Sequence, residues 1–221
     1  MGIFLFNTYK LKIIAVKNRN MFGLLLLTMI FLFGFIEEEK NPLLKIGQEA
    51  PMTDYKMRDV SGSHVTLNDV KNENGLLVIF SCNTCPFVLK WEDRYPLLSK
   101  QCKAGKIGMI AINSNEARRD GDDSMEKMKT HATDKGYDFF YTVDVKSKLA
   151  YAFGARHTPE IFLFDKDLKL TYTGSIDDNL KNASEVEKHY LEDAIKNQIN
   201  GKPIVPNKTK AIGCSIKKVK T

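Results

Sequence analysis

The chain has 221 residues, 43% hydrophobic and 27% charged, which is enough apolar mass for one packed core. Its 14 Gly and 7 Pro are too few for a collagen or low-complexity chain, and its 4 Cys are too few for a disulfide scaffold. The net charge of +6 sits at the ends: residues 1–20 and 202–221 hold ten basic groups and no acid, leaving 23 basic against 27 acidic groups over 21–201, which argues against a nucleic-acid partner.

The first element is apolar. Residues 22–36 read FGLLLLTMIFLFGFI, and no charge occurs in the 17 residues from Asn20 to Ile36. A membrane-spanning helix takes about 20 apolar residues and manages with about 17, whereas the apolar part of a secretory signal runs about 7–15. Lys10, Lys12, Lys17 and Arg19 precede the run, and Glu37, Glu38 and Glu39 follow it. Positive charge ahead of a span keeps that end in the cytoplasm. No small-x-small cleavage pattern closes the run, so a retained anchor is preferred to a removed signal. The reading is a basic segment over 1–20, a signal-anchor or signal peptide over 21–40, and an extracytoplasmic (periplasmic-side) body anchored in the membrane by residues 21–36.

The body alternates strands and helices. Residues 54–60 and 65–67 read as a hairpin about Ser61-Gly62-Ser63. Residues 75–80, GLLVIF, form a continuous apolar run, the pattern of a strand buried on both faces. A helix follows over 85–103, which Pro96 must kink. Residues 107–112 are a second buried strand. Residues 122–135 form a helix with Met125, Met128 and Ala132 on one face, and 139–143 form a strand. A short helix over 146–153 ends at Gly154. Residues 161–164 are a third buried strand, which turns at Asp165-Lys166-Asp167 into 168–172. A closing amphipathic helix spans 184–200, with Val186, Tyr190 and Ala194 spaced by four, Ser184 as cap and Gly201 as stop. This order predicts an α/β layer structure whose central sheet is mixed and flanked by helices. The domain runs over 44–201, with a basic C-terminal extension over 202–221.

Chemistry is concentrated in Cys82-Asn83-Thr84-Cys85-Pro86, at the exit of a buried strand and the entry of a helix. Two intervening residues bring the sulfurs within disulfide range. The free N–H groups of a helix start stabilise a thiolate, the nucleophile of disulfide exchange. Pro86 suits a first helical turn. A structural disulfide or half a zinc site is the alternative, but zinc needs two further soft ligands, and Cys102 and Cys214 are isolated in the sequence. Redox chemistry is the preferred reading.

The stretch Phe80-Ser81-Cys82-Asn83-Thr84-Cys85-Pro86-Phe87-Val88 resembles the active-site motif of thioredoxin-like redoxins, in particular the Cys-Asn-x-Cys-Pro branch of the alkyl hydroperoxide reductase/thiol-specific antioxidant superfamily. The likeness continues through Gly47-Gln48-Glu49-Ala50-Pro51, Ala111-Ile112-Asn113-Ser114-Asn115, Thr158-Pro159-Glu160-Ile161-Phe162-Leu163-Phe164-Asp165, Tyr172-Thr173-Gly174-Ser175-Ile176-Asp177-Asp178 and Gly213-Cys214-Ser215-Ile216-Lys217, covering about residues 44–218. It implies a thioredoxin-like fold and thiol–disulfide oxidoreductase or antioxidant activity. Cys82, nearer the surface, would attack a substrate disulfide and Cys85 would resolve the mixed disulfide. Pro159 would be cis, with the backbone of Thr158 offered to a substrate chain. No metal, nucleotide or flavin cofactor is required. The partners would be a disulfide- or thiol-bearing protein or small molecule and a redox partner that the sequence does not identify.

The departures from thioredoxin matter as well. Ser81 replaces its Trp, Asn83-Thr84 its Gly-Pro, and Leu76 its buried Asp, which leaves Glu160 as a candidate base. A solvated surface Glu is the other reading of that residue. A thiol peroxidase is the rival activity. With Cys85 as its peroxide-reactive thiol, Cys82 and Val78 would stand where a hydroxyl and a Pro are expected, and Arg94 or Arg156 would supply the cation. A non-enzymatic thiol sensor or binding module is a third possibility. Cys214 is either an additional redox Cys, if the tail folds back over Cys82, or an unpaired strand thiol, and Cys102 reads as a buried core thiol. The scattered histidines form no ligand pattern, although His157 stands two residues before Pro159.

Overall fold

The computed structural model describes residues 41–219. The apolar run read as an anchor lies outside the described residues. Among those residues, no helix is long and apolar enough to cross a membrane.

A mixed seven-stranded sheet forms the centre. Its strands are β1 (Met57–Asp59), β2 (His64–Val65), β3 (Leu76–Ser81), β4 (Gly108–Asn113), β5 (Phe140–Val143), β7 (Glu160–Phe164) and β8 (Leu170–Gly174), in the order β2-β1-β5-β4-β3-β7-β8. The β3, β4 and β5 strands run parallel, whereas β7 lies antiparallel to β3 and β8 antiparallel to β7. The two remaining strands, β6 (His157–Thr158) and β9 (Cys214–Ser215), pair antiparallel with each other.

Because β3 is central, all six of its residues are buried. Alternate side chains serve opposite layers. Leu76, Val78 and Phe80 pack with α1 (Leu67–Val70) and α5 (Lys148–Phe153). Leu77 and Ile79 pack with α2 (Pro86–Trp91), α3 (Tyr95–Ala104) and α6 (Tyr190–Ile199), while α4 (Met125–Asp134) covers Ala111 and Tyr141 on that same face. In the first layer Phe153 meets Phe80, Phe162 and Phe164 edge-on, with ring centroids 5.3, 5.3 and 5.8 Å apart. Such contacts add about 0.5–1.5 kcal/mol each beyond area burial.

Several boundaries differ from the sequence reading. The helix expected over 85–103 is two helices, and the break falls ahead of Pro96, in a 3₁₀ turn at Glu92–Arg94. Pro96 lies in the first turn of α3, where a missing N–H costs nothing. The strand expected over 65–67 stops at Val65. Thr66 then caps α1 through a reciprocal capping box with Asp69. The closing helix begins at Tyr190 instead of 184, and Ser184 does not cap it. Ser184 donates to the Asn182 side chain in a separate 3₁₀ turn, while Asp178 Oδ1 holds the amides of Glu187 and Lys188 at 3.1 Å. The buried face of α6 is therefore Leu191, Ala194 and Ile195. Gly201 does stop it, at φ +64°.

The basic extension packs onto the body. Thr209 N donates to Thr173 O at 3.0 Å, and Thr209 Oγ1 contacts Tyr172 Oη at 2.8 Å. Ile216 N donates to Arg156 O at 2.8 Å, and the Ile216 side chain is buried in the first core layer. Beyond it, Lys218 Nζ donates to Ala155 O at 2.7 Å.

Candidate active site

Three segments meet at one end of the sheet: the turn from β3 into α2, the β6–β7 corner, and β9. Cys82 follows β3 directly. Cys85 is the N-cap residue of α2 in an extended conformation, and Pro86 takes the first helical position. The Thr158–Pro159 peptide is cis.

Asn83 anchors the turn. Its amide N–H donates to Asp123 Oδ1 at 2.9 Å and its Nδ2 to Asp122 O at 2.8 Å, while its Oδ1 accepts from Tyr141 Oη at 2.8 Å. Asp123 is fully buried and also accepts from Asn113 Nδ2 at 2.7 Å and Asn115 Nδ2 at 3.0 Å. No local sequence pattern marks this clamp. Its one visible trace is Asn113-Ser114-Asn115 at the end of β4.

The resemblance implies a Cys82 nearer the surface. In the fold both thiols are buried, Cys82 at 2% exposure and Cys85 at 4%. Cys82 Sγ lies 3.4 Å from Thr158 Oγ1, and the protonated Cys85 Sγ donates to Thr158 O at 3.0 Å. That carbonyl favours the thiol form of Cys85, but more groups favour the thiolate. Hydrogen bonding from the Cys82 thiol comes first, and the Cys214 thiol, the Val88 N–H and the Thr158 hydroxyl add to it. Together they outweigh burial and draw the pKa of Cys85 down to about 4. Cys82 is pushed up, chiefly by its hydrogen bond to Cys85, then by burial, with the Asp123 charge adding to both. The Cys214 thiol is also raised, by burial and then by its bond to Cys85.

Cys214 thus joins the pair. Its register partner is Thr158. A cavity of about 180 Å³ opens on the three sulfurs, with Thr84, Asn115, Arg118, Thr158 and Lys217 among its lining residues. Neither Arg118 nor Lys217 is marked as a site residue by the sequence. Among the described residues, no His, Cys, Asp or Glu cluster has the makings of a metal site.

Other candidates fall elsewhere. Glu160 is 3% exposed, so it is not a solvated surface residue. Its Oε2 accepts from the amides of Arg156 at 2.7 Å and His157 at 3.0 Å, bracing the corner that carries Pro159. His157 does not line the sulfur cavity. Arg94 is bound to Asp177 at 3.1 Å and to the Lys90 and Asn179 carbonyls, so it does not supply a cation to the sulfurs. Cys102 is fully buried in the core, where loss of hydration pushes its thiol up to about 12.

Known proteins give the same picture. A comparison with curated proteins gave no match. An uncharacterized conserved protein from Geobacillus kaustophilus is similar at 34% identity and a TM-score of 0.74, over 82% of this chain and 96% of that one. A hypothetical protein from Sinorhizobium meliloti is similar at 29% identity and 0.74, over 82% and 98%. The thioredoxin domain of a thiol-disulfide oxidoreductase from Bacteroides vulgatus, at 21% identity and 0.50 over 64% and 96%, shares the fold. The redoxin family model matches residues 45–189, a span that contains the two-cysteine turn and the cis-proline corner. On the strength of that match and of the sheet that brings these segments together, the chain belongs to the redoxin family, with a thioredoxin-like fold.

Proposed function

We propose that this chain is a thiol–disulfide oxidoreductase whose Cys82–Cys85 pair cycles between dithiol and disulfide. The observation that carries the reading is the placement of two buried thiols between β3 and α2, both in contact with Thr158 of the cis Thr158–Pro159 corner. The Cys85 thiolate attacks a substrate disulfide and expels one thiolate. Cys82 then attacks the Cys85 sulfur, releases the second thiolate and leaves the Cys82–Cys85 bond. The roles are reversed from those implied by the resemblance, in which Cys82 attacks. The donors converging on Cys85 support the reversal. No metal or organic cofactor enters these steps. A separate redox partner restores the pair.

A thiol peroxidase is the second reading, favoured by the Thr158 hydroxyl, Arg118 and Lys217 beside the same thiolate. Disulfide turnover by the full chain tests the first reading, with loss in Cys85→Ser. Single-turnover consumption of hydrogen peroxide that persists in Cys82→Ser, with no disulfide turnover in the unaltered chain, selects the second. A chain inactive in both assays is a binding module or sensor. We also place the body on the extracytoplasmic side, anchored by residues 21–36, from the four basic groups ahead of that run. Protease accessibility in sealed cells and spheroplasts checks it.

A further inference from the structure

The edge that the resemblance assigns to a substrate backbone is occupied by the chain itself. Strand β9 lies antiparallel on β6, with Cys214 opposite Thr158 and Ser215 opposite His157. It is fastened on both sides. Lys217 N donates to Asn115 Oδ1 at 2.8 Å, Ala117 N donates to Lys217 O at 2.9 Å, and Ile216 is buried. Gly213 makes the approach possible, because a methyl group there would run into Thr158 O. The strand delivers a sulfur to the site. Cys214 packs on the cluster of Cys82, Cys85 and Val88 and lines the same cavity as the two thiols.

We propose that β9 stands in for a substrate strand, that Cys214 is a second resolving thiol for Cys85, and that the external substrate is a small anionic disulfide instead of an extended polypeptide. This rests on the proposed exchange activity. An incoming chain has no free Thr158 edge to pair with, and the remaining opening is about 180 Å³ and flanked by Arg118 and Lys217. Cys85 attacks one sulfur of R–S–S–R, the S–S bond breaks, and RS⁻ leaves and is protonated by solvent. Cys214 then attacks the Cys85 sulfur, its proton passing to the departing second RS group. The Cys85–SR bond breaks as a Cys85–Cys214 bond forms. One external disulfide is reduced to two thiols, and two protein thiols are oxidised to one disulfide. Attack by Cys82 on Cys85 next frees Cys214 and leaves the Cys82–Cys85 bond.

The test uses the full chain and oxidised glutathione, with mapping of disulfide-linked peptides by mass spectrometry. In Cys82→Ser, the Cys85–glutathione adduct should give way to a Cys85–Cys214 disulfide. In Cys82→Ser/Cys214→Ser, the adduct should persist on the order of a thousandfold longer at micromolar free thiol, because a tethered thiol acts at about millimolar effective concentration. A long-lived adduct in Cys82→Ser, with Cys214 still open to alkylation, overturns the inference and leaves the exchange activity standing. No adduct on Cys85 in either variant overturns both. Cys82→Ala provides the same comparison should the serine disturb folding. In the unaltered chain, turnover of an unfolded polypeptide's disulfides as fast as oxidised glutathione overturns the small-substrate assignment.

Discussion

Alkylation of Cys85 in the reduced chain should be nearly independent of pH between 5 and 8. With its pKa drawn down to about 4, Cys85 is almost wholly thiolate across that range. A cysteine with the ordinary value of 9.0 is about 0.1% thiolate at pH 6, so Cys85 holds about a thousandfold more of the reactive form. Low basicity also weakens the nucleophile, and a Brønsted coefficient of about 0.45 removes about 200-fold of that advantage. Before steric shielding, Cys85 should therefore react about fivefold faster than an ordinary thiol at pH 6 and about fifteenfold slower at pH 8. Its 4% exposure lowers every rate by a common factor, so the flat profile is the decisive reading. Quenched time courses with iodoacetamide, resolved by peptide mass, supply the measurement. In Cys82→Ala the strongest donor is gone and the thiolate midpoint should rise. In Cys214→Ala it should rise less, in the order of the hydrogen bonds to Cys85. A Cys85 rate that climbs about tenfold per pH unit in the unaltered chain, as it does for an unperturbed thiol, refutes the reasoning.

Three further outcomes are open to measurement. Asp123→Ala strips partners from Asn83 N–H, Asn113 and Asn115 in a fully buried position and should cost about 3 kcal/mol in urea unfolding. Gly213→Ala should cost about 1–3 kcal/mol and make Cys214 more readily alkylated, because the added methyl collides with Thr158 O. The folded pKa of Cys85 lies below its unfolded value, so between about 4 and 9.0 the unfolded reduced chain binds the extra proton. The stabilising contribution of Cys85 should be complete above pH 9, shrink as pH falls, and vanish below about 4, and Cys85→Ala should flatten the change measured by denaturation between pH 5 and 8.

The sequence was most legible where burial is continuous. The run at 75–80 can satisfy its apolar side chains only between two layers, and β3 sits there with all six residues covered. The alternation of strands and helices, and the return at 161–172, likewise gave the mixed sheet. Boundaries were less legible where a side chain competes for the backbone. The Thr66–Asp69 box begins a helix beside the expected strand, and Asp144, bonded to the amides of Leu149 and Ala150 at 2.9 and 3.0 Å, starts α5 later than the apolar pattern does. The two cysteines were visible by their spacing, but their ranking was not. It depends on Cys214, more than a hundred residues away along the chain, and on the charge of Asp123, which no local pattern places beside Cys82. The place of Cys214 opposite Thr158 is a matter of long-range pairing, and short-range periodicity carries no information about it.

The single tryptophan of the chain gives one of these contacts a practical use. Trp91 lies in α2 with Cys85 at its N-cap, is 1% exposed, and donates its indole N–H to Asp177 Oδ1 at 2.8 Å. Its fluorescence is a local optical gauge of the segment that must accommodate a new sulfur–sulfur bond. An unshifted emission maximum on oxidation would mean that electrons are exchanged on a stationary scaffold, whereas a red shift would mean that the indole becomes wetted as α2 pulls away from Asp177.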